Sequence, residues 1–284
     1  MSALGNFKRW ILGNPIASKH AHHHRLPVIL ALPVFASDAL SSVAYASEEI
    51  MHTFRHNNAL QFLQYTLNIS VAIAILIAVV ALSYFQTIFA YPGGGGSYLV
   101  AKHNLGIRYG MLAGTSLVID YVLTVAVSTS AGVAALVSMS PSLQPYVVQI
   151  CVGAIFVLTM ANLRGAKESG LLFAIPTYTF IVLLLVLIVK GLATPAAPIP
   201  AIVQQARDSA APITGFALIW LFMKSFAAGC TALTGIEAVA NSTGAFKEPA
   251  SKNASMTLVL MATILGTLFI GMSTLAERFH ALPM

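Results

Sequence analysis

Seven stretches of this chain are long and apolar enough to cross a bilayer, and that repetition leaves few folds open. They cover residues 27–51, 62–90, 109–139, 145–162, 169–192, 214–240 and 254–276. Each lies near or above the roughly 20 residues that a membrane helix needs. Lipid offers no partner to an open backbone group, so such runs close their hydrogen bonds internally as helices. No alternation of polar and apolar residues competes with this reading, which sets aside a membrane β-barrel. Charged residues make up only 8% of the chain, against roughly 25% in a soluble domain. The sequence predicts an all-α integral membrane protein.

The charge pattern supplies an orientation. The net charge is +6, and the basic residues fall in the gaps between apolar runs. The tail 1–25 holds Lys8, Arg9, Lys19 and Arg25. The gaps after the second, fourth and sixth runs hold Lys102 and Arg108, Arg164 and Lys167, and Lys247 and Lys252. The alternate gaps hold Arg55, no basic residue at 138–145, and Arg207 beside Asp208, with Lys190 at a helix edge. Cytoplasmic loops carry the excess of Lys and Arg, so the N-terminus is expected in the cytoplasm, in an inner-membrane, multi-pass topology. A basic surface interleaved with aromatics, as nucleic acid would require, is lacking. The first apolar run begins after the polar tail and is too long for a cleavable signal segment.

Carboxylates inside apolar runs are the chemical signal. An ionised Asp near the centre of a membrane helix costs roughly 2.5–3.5 kcal/mol on insertion scales, so each needs a reason to be there. Asp38, Asp120 and Glu237 occupy three different runs in a chain with nine acidic residues. Helix spacing extends each acid into a polar stripe. Asp38, Ser41 and Tyr45 fall at i, i+3 and i+7, and Asp120, Thr124 and Ser128 at i, i+4 and i+8. Thr231, Thr234 and Glu237 are three apart. Three stripes of carboxylate and hydroxyl oxygen, if buried and facing one interior, offer hard ligands to a desolvated alkali cation and leave one carboxylate to carry a proton. Ser and Thr also bond carbonyls of their own helix, and for an isolated hydroxyl that structural reading is the better one.

Two runs carry polar interruptions. Ser37-Asp38-Ala39-Leu40-Ser41-Ser42 lies in the middle of the first, and Gly229 to Gly235 bracket Cys230, Thr231 and Thr234 in the sixth. Paired interruptions of this kind mark the midplane site of many transporters built from inverted repeats, so both helices are expected to unwind there. Close packing by small residues is the alternative. Lys224 either pairs with one of the acids or snorkels outward. Glu48 and Glu49 stand at the end of the first run, where solvated charge is ordinary. Tyr91-Pro92-Gly93-Gly94-Gly95-Gly96-Ser97-Tyr98 lacks the GK[ST] of a nucleotide loop and reads as a flexible re-entrant turn or hinge. His22-His23-His24 reads as a solvated tail rather than a metal site, and Cys151 and Cys230 as packing residues. No cofactor is expected beyond the transported ions.

Residues 32–50, centred on Ala36-Ser37-Asp38-Ala39-Leu40-Ser41-Ser42, closely resemble the first membrane helix of KimA-type potassium transporters. These form part of the KUP branch of the amino acid–polyamine–organocation (APC) superfamily. The Tyr91–Tyr98 glycine loop and Asn162-Leu163-Arg164-Gly165 are similar to APC features. The resemblance covers essentially the whole chain and implies a LeuT-type fold of two inverted five-helix repeats with proton-coupled potassium uptake. Matched by position, the family's ion-site residues fall on Asp38, Tyr45, Asp120, Thr124, Ser128 and Thr234, and the acid implicated in proton coupling on Glu237. The repeats would then occupy 26–192 and 214–284, joined by an external loop at 193–213. The family pattern also implies about ten or more membrane helices, so the chain reads as the N-terminal part, truncated after about seven. Potassium, protons and lipid are the expected partners, and a homodimer is left open. An amino-acid or other organic-solute permease of the same fold is the runner-up, and a fragment without transport of its own the third reading. Against the permease stands the negative charge of Ser37-Asp38-Ala39, which would repel a substrate carboxylate and attract a cation.

Overall fold

Helix α1, Val28–His56, opens the membrane region and is continuous in the computed structural model, which describes residues 25–163, 166–209 and 213–283, without the side chains of 166–169 and 206–209. His22, His23, His24, Lys8, Arg9, Lys19 and Arg164 lie outside the described residues, as do the side chains of Lys167 and Arg207. The chain continues through α2 (Thr66–Ala90), α3 (Gly96–Leu105), α4 (Ile107–Met139), α5 (Val147–Asn162) and α6 (Ala166–Ala193). It then forms α7 (Ala201–Ser209), α8 (Phe216–Gly229), α9 (Glu237–Asn241) and α10 (Ala250–Arg278). Short 3-10 turns at Leu60–Tyr65, Pro141–Tyr146 and Cys230–Leu233 extend three of the helices. Seven of these segments are long and apolar enough to cross a membrane, one for each predicted run. Among the described residues the only extended pairing is a single bridge between Leu26 and Phe246.

Three expectations are corrected. The first helix does not unwind at residues 37–42. Its small residues serve packing instead: Ala36, Ala39 and Ser42 are all fully buried, and small side chains let membrane helices approach closely. The sixth run does break, but its helix ends in the 3-10 turn at Leu233, short of the expected 240. Thr234 is extended at φ −60° and ψ 132°, Gly235 has φ 87°, and α9 starts afresh at Glu237. Thr231, Thr234 and Glu237 therefore do not share a helical face. The glycine segment is a tight turn leading into α3, and α3 and α7 are helices that the apolar pattern did not signal.

The chain separates into two units. One contains the segment ending at Asp38 together with Tyr84–Tyr178 and Glu237–Leu258. Proline accounts for two of its cross-contacts. Pro33 has no N–H to give to the carbonyl four residues back, at Ile29, and the Tyr178 hydroxyl donates to that carbonyl at 2.7 Å. Pro92 likewise leaves the Ile88 carbonyl unmet, and Ser251 Oγ donates to it at 3.3 Å. Backbone bonds Leu26 N–H to Ala245 O (2.9 Å) and Lys247 N–H to Leu26 O (3.0 Å) fasten the start of α1. Phe35 lies against Phe246 with ring centroids 5.3 Å apart, and Arg25 pairs with Glu248.

The other unit comprises Ala39–Ser83, Thr179–Ile236 and the segment from Val259 onward. An aromatic cluster of Phe54, Phe62, Tyr65 and Phe222 packs around the buried Phe54, with Phe222 edge-on 5.4–5.9 Å from the other three rings. Buried Ser47, Ser70 and Ser273 join three helices, with Ser273 Oγ 2.8 Å from each of the other two hydroxyls. Gly229 lets α8 approach closely, since a Cβ there would sit 2.6 Å from both Ile50 Cγ1 and Ile73 Cδ1. Overpacking of this kind costs about 1–3 kcal/mol. Gly229→Val is expected to destabilise the fold by that amount, read as a lower denaturation midpoint in detergent. An unchanged midpoint would show that Ile50 and Ile73 yield freely.

Candidate cation and proton site

Within the first unit, α1 and α4 bring a carboxylate and a hydroxyl together. Ser128 Oγ donates to Asp38 Oδ1 at 3.3 Å, across 90 residues of sequence. Both side chains are half-buried. Asp120 lies two turns before Ser128 on the same unbroken helix and is within electrostatic reach of Asp38. Thr124 occupies the turn between them and is half-buried. A spacing of four along α4 puts Asp120, Thr124 and Ser128 on one face. Carboxylates in electrostatic reach of each other repel when ionised, and a monovalent cation beside them relieves that repulsion.

Not every acid is buried as expected. Glu237 is, at 8% exposure. Asp38 is half-buried and Asp120 exposed. For Asp120 the cause lies in α4, which leaves the neighbouring Ile119, Tyr121 and Val122 exposed as well. Lys224 is also exposed and has no ion pair among the described residues, which fits the outward-reaching reading.

Glu237 is the first residue of the five-residue helix α9. Tyr84 and Tyr121 belong to the same unit as Glu237 and Asp120. Tyr84 Oη is 3.1 Å from Ser97 Oγ, and Tyr121 Oη accepts a hydrogen bond from Asn241 Nδ2 at 2.7 Å. Sequence reasoning missed Tyr84, Tyr121 and Asn241. Two signals were available: Tyr121 adjoins Asp120, and Asn241 lies at i+4 from Glu237.

The remaining sequence candidates belong to the second unit. Tyr45 Oη lies 3.1 Å from the buried Ser42 Oγ. Thr234 Oγ1 donates to Thr231 O, and Thr231 Oγ1 to Ala228 O, each at 2.7 Å. These two threonines thus bond carbonyls at the helix break, the structural role their residue type suggested. Cys151 and Cys230 are free thiols. Among the described residues no cluster of His, Cys, Asp and Glu has the arrangement of a metal centre.

Seven membrane-length helices, a broken sixth span and polar side chains within those spans define a multi-pass membrane protein of the permease class. Residues 32–276 match the family described as amino acid permease, and the chain belongs to that family. It is also similar to the potassium transporter KimA of Bacillus subtilis (strain 168), with 43% identity over 280 residues, which is 98% of this chain and 46% of KimA. The chain therefore spans about half the length of that relative.

Proposed function

We propose that this chain forms part of a secondary transporter that takes up potassium together with protons. The observation that carries the reading is the Asp38–Ser128 pair with Asp120 in electrostatic reach, on helices of membrane length. Asp38 and Asp120 supply negative charge, and Ser128 and Thr124 neutral oxygens. Tyr45 enters the ion site through its i+7 spacing from Asp38 on the continuous α1 and through the family resemblance, Thr234 through the resemblance alone. Glu237, buried at the start of a short helix beyond a backbone break, carries the proton. The similarity to KimA supports potassium as the cation. Basic loop residues support an N-terminus in the cytoplasm and an inner-membrane location. Transport, rather than chemical conversion, is the activity.

The reading is tested with the full-length protein in proteoliposomes carrying an imposed proton gradient. Labelled rubidium, standing for potassium, is expected to accumulate on the side to which protons flow and to be displaced by potassium. Accumulation of a labelled amino acid with no response to potassium would replace this reading with that of an organic-solute permease.

A further inference from the structure

Four consecutive glycines, Gly93 to Gly96, fit no nucleotide loop, and their geometry shows what three of them do. Gly94, Gly95 and Gly96 have φ of 88°, 90° and 36°, a run of left-handed backbone that only glycine adopts readily. Two of them also press on one residue. A Cβ at Gly94 would lie 2.5 Å from the Asn241 carbonyl oxygen, and one at Gly96 would lie 2.0 Å from Asn241 Oδ1. At Gly93, by contrast, a Cβ would meet nothing within 4 Å.

Asn241 holds this turn with its backbone as well. Its carbonyl, orphaned at the end of α9, accepts the Gly95 N–H at 2.9 Å. Its side-chain nitrogen reaches Tyr121 on α4 at 2.7 Å. Asn241 thus touches two neighbours, the glycine turn and the residue beside Asp120. It is also the last residue of a helix whose first is Glu237. With only five residues in α9 and Gly235 at φ 87° before it, the helix has a bend at one end and this attachment at the other. Whatever fixes Asn241 fixes Glu237, one turn away.

We propose that Asn241 is a positioning residue: it clamps α9 to the glycine turn and to Tyr121, and so sets where Glu237 stands for proton transfer. The role in transport rests on the assignment of Glu237 made above; the clamp itself does not.

The clamp is tested first without transport. Gly93→Cys places a thiol where side-chain space is open, in the full-length protein with Cys151, Cys230 and any further native cysteine replaced by serine. Its maleimide labelling in inside-out vesicles follows the opening of the turn. Adding Asn241→Ala removes the side-chain bond to Tyr121 and the packing on Gly96. The loss of one or two such interactions shifts a local opening equilibrium about five- to tenfold, and the labelling rate should rise by that factor. Tyr121→Phe should raise it less, because the Asn241 side chain still packs on Gly96. Gly96→Ala should behave like Asn241→Ala, while Gly93→Ala in place of the cysteine leaves the melting temperature unchanged. Equal labelling rates in parent and Asn241→Ala would overturn the clamp.

The positioning role is then read in proteoliposomes. Asn241→Ala and Tyr121→Phe should lower proton-driven rubidium uptake per folded molecule at least about tenfold and displace its pH profile, with rubidium affinity held within about threefold. A merely structural residue would lower the melting temperature and leave the pH profile of the folded fraction where it was; that result overturns the proposal. Parallel loss of rubidium binding and uptake also overturns it. If the parent shows no proton dependence at all, the Glu237 assignment fails and the positioning role with it, while the labelling rates still decide the clamp.

Discussion

Asp38→Asn is expected to abolish potassium uptake by the full-length protein while leaving its expression and melting temperature close to those of the parent. The substitution keeps the shape of the side chain and can still accept the Ser128 hydrogen bond, which measures 3.3 Å in the structure. What it removes is a full negative charge. At an effective dielectric near 20, a carboxylate attracts a cation about 4 Å away by roughly 4 kcal/mol, about three powers of ten in affinity. Asp38 is half-buried, so solvent screening reduces that figure, and a loss of at least about tenfold is the conservative expectation. The readouts are growth of a potassium-uptake-deficient strain at limiting potassium and rubidium binding to purified protein. Growth and binding equal to the parent would remove Asp38 from the cation site. Loss of folded protein alone would show a structural carboxylate instead.

Glu237→Gln should produce a different failure. Glutamine has nearly the same size and keeps one carbonyl oxygen, yet it cannot bind and release a proton. A carboxyl group in a membrane span can load a proton on one side and discharge it on the other. Without that exchange, an imposed proton gradient should no longer drive rubidium accumulation, a fall of at least about tenfold. Rubidium-for-rubidium exchange, which needs no net proton movement, should persist. The pH dependence of uptake should flatten. Undiminished proton-driven accumulation in this variant would rule out Glu237 as the carrier and make Asp120 the next candidate. Together the two substitutions separate binding from coupling: Asp38→Asn loses both fluxes, Glu237→Gln only the driven one.

The membrane helices were legible because each is encoded redundantly. Some twenty apolar residues signal a span, and the loss of one or two leaves the signal intact. The break in the sixth span was legible for a related reason, as Gly229 and Gly235 bracket hydroxyl residues. The similar polar interruption in the first span misled, because Ala36, Ser37, Ala39 and Ser42 suit close helix packing as well as unwinding. Only their neighbours decide between the two, and Ala36, Ala39 and Ser42 turn out fully buried inside an intact helix. Helices α3 and α7 escaped notice since each is ten residues or fewer and polar enough to pass for loop. Asp38 and Ser128 were each named from sequence, but their bond spans 90 residues, and no local spacing encodes it. Asn241 was missed for the opposite reason: its one sequence cue is the i+4 spacing from Glu237, and its meaning lies in the glycines it touches.

The three buried serines of the second unit hold one more consequence, obtained by counting hydrogens. A hydroxyl can give only one proton. Ser70 gives its own to the Thr66 carbonyl at 2.9 Å, so the proton between Ser70 and Ser273 must come from Ser273. Ser273 then has none left for Ser47, and the 2.8 Å contact between them must be made with the Ser47 proton. One backbone carbonyl on α2 therefore dictates the polarity of the whole relay, and three O–H dipoles on three different helices point the same way. Ser47, at the tail of that sequence, keeps only lone pairs to offer. Its oxygen can receive a donor or a cation, but it has nothing to give one.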